Sequence, residues 1–210
     1  MLQTIETELH LETCKYLRDL GRYFVTTDWR GENLPTLKAA ALNRKSFGGA
    51  GEPDFLIPYT PMFTTPVKNL PFINVDQKAF NNGLVIEFKS SLSNVFNKDG
   101  TIKFSKAKNE KDKVKSWHNL IQFAWLGYLQ GQGFYTTYVT KQVPYSLLDY
   151  WFGQGGGVTD RCLETLYTPV DFFGVDGCSF SFVELVKQSG EWAYFSDYEK
   201  LPRIDWAYYK

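Results

Sequence analysis

The chain has 210 residues, 43% of them hydrophobic and 22% charged, with 23 Lys+Arg against 23 Asp+Glu. That is about one domain plus an extension, long enough to bury a real core, and a formal net charge of zero excludes a uniformly basic nucleic-acid binder. Three scattered cysteines (Cys14, Cys162, Cys178) and two histidines (His10, His118) argue against a zinc site or a disulfide framework.

From the N-terminus, residues 3–20 carry helical spacing, with Ile5, Leu9, Tyr16, Leu17 and Leu20 on one stripe, Thr4 as N-cap and Gly21 as the stop. Glu6 and Glu8 break up this start before a signal-peptide core can form, and no apolar run approaches membrane-spanning length. The expectation is a soluble intracellular protein without membrane association. Residues 22–27 predict a short strand. A loop follows, in which Arg44 and Lys45 precede Gly48 and Gly49; such a segment can grip a phosphate through side chains and backbone amides, or be no more than a turn.

Residues 51–57 (Gly-Glu-Pro-Asp-Phe-Leu-Ile) and 83–89 (Gly-Leu-Val-Ile-Glu-Phe-Lys) both predict strands. Alternation puts Leu84, Ile86 and Phe88 on one face and Val85, Glu87 and Lys89 on the other. Pro53 falls at a strand start, where a missing N–H costs the ladder least. Were the two strands to pair, Asp54, Glu87 and Lys89 would meet at one end of a sheet. Two carboxylates close together resist ionisation unless a cation lies between them, and hard oxygen ligands suit Mg²⁺ or Mn²⁺. An ammonium beside such a cation can hold or deprotonate a water and stabilise charge on a phosphodiester. The same charges also fit an exposed edge strand that discourages aggregation.

The interval 58–82 is punctuated by four prolines and is long for a hairpin connection, which suggests a functional or interface loop. Residues 90–115 form a second insert. In it, Asn97-Lys98-Asp99-Gly100 signals a turn, 101–104 can return as a strand, and Lys106, Lys108, Lys111, Lys113 and Lys115 crowd behind Lys103. A lysine run is commonly a solvated face; beside a phosphodiesterase centre it becomes a DNA-backbone arm. Charge distribution agrees, since residues 61–150 hold 11 Lys/Arg against 6 Asp/Glu. Residues 116–131 predict the best helix, with Trp117, Leu120, Ile121, Ala124, Trp125, Tyr128 and Leu129 on an apolar arc and Lys115, His118 and Gln122 along its margin. A strand over 134–139 closes the core. Beyond Val143 the chain turns aromatic and acidic, with 5 Lys/Arg against 9 Asp/Glu over 151–210, and strands are expected at 180–186 and 192–198.

Pro53-Asp54 followed by Glu87-Phe88-Lys89 resembles the PD-(D/E)xK motif of the restriction-endonuclease-like nucleases. Gly51-x-Pro53-Asp54 and the run Gln122…Trp125…Leu129…Gly133-Phe134 are similar to the VRR-NUC branch, itself related to Holliday-junction resolvases. The resemblance spans roughly residues 3–142 and is dense only at 51–57, 84–89 and 122–134. It implies a three-layer α/β fold, helix–strand–strand–strand–helix–strand with a mixed central sheet and long inserts, as a nuclease core over 1–142, and leaves 143–210 as an extension packed on that core or forming a dimer interface. It further implies an Mg²⁺- or Mn²⁺-dependent DNA endonuclease acting on branched DNA as a homodimer. Asp54, Glu87 and the carbonyl of Phe88 would hold the metal, Lys89 would orient or activate the water, and Gln122 and an N-terminal glutamate would assist. Similarity to that family in the spacing to Gly21 favours Glu6, with Glu8 and Glu12 as rivals. Arg44, Lys45, the lysine run and His118 would contact DNA. Two other readings stay open: an endonuclease of the same superfamily acting on linear DNA, and a non-enzymatic DNA- or protein-binding module of that fold.

Overall fold

The computed structural model describes residues 5–26, 52–58, 82–103, 117–140, 166–167, 170–174, 176–188 and 202–207. Arg44, Lys45, Lys106, Lys108, Lys111, Lys113, Lys115 and the strand expected at 192–198 lie outside these residues.

In chain order the elements are helix α1 (Ile5–Asp19), strands β1 (Val25–Thr26), β2 (Phe55–Ile57) and β3 (Gly83–Lys89), a 3₁₀ turn (Leu92–Asn94), helix α2 (His118–Gly131), strands β4 (Phe134–Thr140) and β5 (Leu166–Tyr167), and helices α3 (Val170–Phe173) and α4 (Phe180–Gln188). The strands form one mixed sheet in the order β1-β2-β3-β4-β5, in which β3 and β4 run parallel and every other pairing is antiparallel. Up to β4 the element order is the one the sequence predicts.

Strand β3 organises the sheet. All seven of its residues are buried, as a central strand covered on both faces requires. On one face Phe88 meets Phe55 and the His10 ring of α1, while Phe55 also packs on Phe24. Leu9, Thr13, Cys14 and Leu17 of α1 are buried as well. On the other face Val85 and Tyr138 join Leu120, Ile121, Phe123 and Ala124 of α2 in the main apolar cluster. Helices therefore cover the sheet on both sides. Gly83 opens β3 with φ +132°, in a place where a Cβ would collide with the Ile57 carbonyl of β2; only glycine lets the two backbones approach so closely.

On helix α2, Phe123, Leu126 and Gly127 are buried outside the predicted arc, whereas Trp125, Tyr128 and Leu129 of that arc are only half-buried. The cover is α3 and α4: Phe173 and Phe172 pack on Phe123, and Phe180 packs on Trp125 and Tyr128. Gly177, at φ +60°, lets the loop between α3 and α4 press against the Gly127 carbonyl, and Cys178 N donates to that carbonyl at 3.0 Å. The strand expected at 180–186 is instead the helix α4. Its buried residues Val183 and Val186 are three apart, a helical spacing, and Ser179 Oγ accepts from Phe182 N at 3.2 Å to cap its start. The return strand expected at 101–104 reduces to two isolated bridges, Phe96 with Ile102 and Thr101 with Arg203. The partner of Thr101 is the C-terminal segment, where Ile204 N donates to Gly100 O at 2.8 Å, Trp206 Nε1 donates to Asn97 O at 2.7 Å, and Ile204 enters the core. Part of the C-terminal extension is thus packed on the preceding residues.

Candidate active site

The pairing of β2 with β3 sets Phe55 opposite Ile86 and Leu56 opposite Val85. One step further, the same register puts Asp54 beside Glu87. The Asp54 carboxylate there accepts a hydrogen bond from Phe88 N through Oδ2 at 2.8 Å. The two acidic residues, 33 positions apart in sequence, are therefore neighbours.

Glu87 and Lys89 share the α2 face of β3 and form a buried ion pair, with Nζ to Oε1 at 2.7 Å. Their side chains are 2% and 10% exposed, so water screens the pair little. From α2, Gln122 Nε2 donates to the same Oε1. Among the described residues, Glu87 Oε2 and Gln122 Oε1 are buried without a hydrogen-bond partner. Leaving two oxygens unpaired is costly in an apolar interior, and oxygens so held are available to a further ligand.

Glu6 reaches the same region from α1, where its Oε1 accepts from Ser90 N, the residue after Lys89, at 2.9 Å. Glu8 and Glu12 are exposed on the helix, so Glu6 is the N-terminal glutamate directed at the site. His118 is exposed at the first position of α2, and Phe88 directs its side chain to the opposite face, toward His10 and Phe55. The site thus gathers Asp54, Glu87, Lys89, Gln122 and Glu6 from four elements, at the carboxyl end of β3, where it runs parallel to β4. Ligands of open α/β sheets commonly bind beyond the carboxyl ends of parallel strands.

Burial pushes the Glu87 carboxyl above its ordinary value, and the Lys89 ammonium opposes this without cancelling it. Burial is the largest influence on the Lys89 ammonium and works against it, but the surrounding acids, Glu87 first and then Asp54 and Glu6, together hold Lys89 above its ordinary value of 10.5. Lys89 is therefore a lasting hydrogen-bond donor rather than a ready base. A raised lysine adds stability that is complete below 10.5 and lost as pH climbs through the raised value. In metal-free buffer, wild type is expected to lose stability over that alkaline range, and Lys89→Met to lack this component. Urea unfolding of both proteins from neutral to strongly alkaline pH reads the difference, and parallel curves would show that the ammonium contributes nothing.

Among the described residues no three of His, Cys, Asp and Glu gather as a metal-binding group. Mg²⁺ asks for less, since it keeps several waters and takes one or two carboxylates. The residues offer the unpaired Glu87 Oε2 and Gln122 Oε1 and the carboxylate of Asp54, the register neighbour of Glu87, all hard oxygens, a donor chemistry that fits such an ion.

Sequence reasoning missed the contacts that surround this site. Asn94, Lys103 and Asn119 hold the chain just beyond β3 through bonds up to 25 residues apart. The local signals there are the turn at 97–100 and the return strand over 101–104, and neither names these partners.

No protein-family model matches the chain, and neither a curated protein nor a solved structure does. Fold and site define a mixed α/β protein with a buried acid–ammonium pair on its central strand. Among the described residues no helix is long and apolar enough to cross a membrane.

Proposed function

We propose that the protein is a Mg²⁺- or Mn²⁺-dependent deoxyribonuclease of the PD-(D/E)xK superfamily, acting on branched DNA such as four-way junctions, and as a homodimer that brings two centres to opposing strands. The observation that carries this reading is the buried Glu87–Lys89 pair, with one glutamate oxygen unpaired and the Asp54 carboxylate bonded to the next backbone amide, that of Phe88. A purely structural ion pair gains from having every lone pair satisfied; this one leaves an oxygen pointing at no described partner.

Asp54 and Glu87, with the Phe88 carbonyl and Gln122, would hold the ion. When bound, the ion supplies a positive charge that polarises the phosphodiester and acidifies water. Lys89 remains an ammonium, so its part is to orient the attacking water and to stabilise charge that grows on the phosphoryl oxygens. Gln122 fixes the orientation of the glutamate. The reaction is hydrolysis: the water oxygen bonds to phosphorus, the bond from phosphorus to the leaving sugar oxygen breaks, and the water's protons end on the leaving oxygen and in solvent.

Labelled junction, flap and linear duplex, each incubated with Mg²⁺, Mn²⁺ or EDTA, test this. Cleavage of the junction with either ion and none in EDTA is expected. Preference for linear duplex would move the substrate assignment to that class, and tight binding without cleavage in either ion would favour a DNA-binding module that keeps the fold without the chemistry.

A further inference from the structure

One side chain joins helix α2 to the chain that leaves β3. Asn119 Nδ2 donates to the Asn94 carbonyl at 3.1 Å and to the Lys103 carbonyl at 3.0 Å. Both partners only accept, so the amide nitrogen must face them.

Each acceptor is anchored in turn. On the site side, Asn94 Nδ2 donates to Ser90 Oγ at 2.6 Å, Ser90 N donates to Glu6, and Ser90 follows Lys89 directly. On the far side, Lys103 N donates to Val95 O at 2.7 Å and Ile102 N to Pro202 O at 3.2 Å, so the C-terminal segment braces the turn. Asn119 stands three residues before Gln122, hence close to the same side of the helix. Helix α2 is therefore tied to β3 twice, by Gln122 at the Glu87 carboxylate and by Asn119 at the turn beyond Lys89. Apolar packing holds α2 on the sheet, and these two polar ties refine how it sits where the Gln122 amide meets the carboxylate.

We propose that Asn119 is a positioning residue for the cleavage reaction, acting through Gln122 to hold the Glu87 carboxylate in its working orientation. This inference rests on the nuclease reading above.

Asn119→Asp is the sharpest probe, because it keeps the shape and turns a donor into an oxygen facing two carbonyl oxygens. Asn119→Ala checks that any effect is not due to the new charge. Both variants are expected to lower kcat on junction DNA about 10- to 100-fold with KM within a few-fold of wild type. The deciding readout is coupling: in a Gln122→Ala background either substitution is expected to lower kcat no further. A residue that only stabilises the fold would give losses that multiply. Urea unfolding of each variant establishes that the assays use folded protein. Should wild type cleave and the two losses multiply, the positioning role of Asn119 is overturned and the nuclease reading stands. Should wild type cut no DNA in either ion, the nuclease reading falls and takes this role with it.

Discussion

Glu87→Gln is expected to lower the single-turnover rate of DNA cleavage by about 10³-fold, with DNA affinity changed little. The substitution keeps the size and polarity of a buried side chain and removes only its charge. What it takes away is the anionic oxygen that stands unpaired in the interior. Lys89→Met is expected to act as strongly, because it removes the donor held 2.7 Å from the glutamate while leaving both acidic residues in place. Gel-resolved cleavage of labelled junction DNA, paired with a binding measurement on the same preparations, separates lost chemistry from lost affinity. Undiminished cleavage by purified Glu87→Gln would assign the activity to a contaminant and sink the proposed function.

The arrangement behind that prediction is partly written in the sequence. Alternation along 83–89 placed Glu87 and Lys89 on one face, and both are buried there. The strand signal of 51–57 brought Asp54 next to them because an antiparallel register, once Phe55 lies opposite Ile86, leaves the next residue no other place. Helical spacing over 116–131 likewise set Gln122 on the margin that meets the sheet. These features repeat at a fixed period and bury an apolar face, so the order of apolar and polar residues reveals them.

Other features resisted reading for identifiable reasons. Residues 180–186 are rich in phenylalanine and valine, which local preference assigns to a strand, yet packing against α2 selects a helix. Phe123, Leu126 and Gly127 are covered because α3 and α4 lie over a side of α2 that a single amphipathic helix would expose to water. The bonds of Asn119, Trp206 and Glu6 span 16 to 109 residues, and a hydrogen bond between distant residues leaves no period behind. Glu6 is preferred over Glu8 and Glu12 only through the resemblance in its spacing to Gly21, and its partner Ser90 leaves no signal in the sequence.

The buried pair also makes an energetic prediction that needs no substrate. Glu87→Leu strands a lysine whose ammonium is buried, and breaking such a pair from one side costs about 3–5 kcal/mol. Lys89→Met strands a carboxylate that burial already pushes toward its protonated form. Neutral, that group no longer pays for desolvation, so the cost of Lys89→Met is expected to shrink as pH falls through the raised Glu87 value. The cost of Glu87→Leu has no such escape, because acid keeps the ammonium charged. The double variant, an apolar pair of similar volume, is expected to match wild type or exceed it by about 1–4 kcal/mol while cleaving nothing. Urea unfolding of the four proteins at neutral and mildly acidic pH tests the cycle. A double variant clearly weaker than wild type, though less weak than the sum of the singles, would mean that the pair is a structural strut, retained for stability; losses that simply add would mean that the two charges are not coupled. A recovered or improved double variant would mean that the fold bears an unfavourable pair, and a reactive site is the physical reason to keep one.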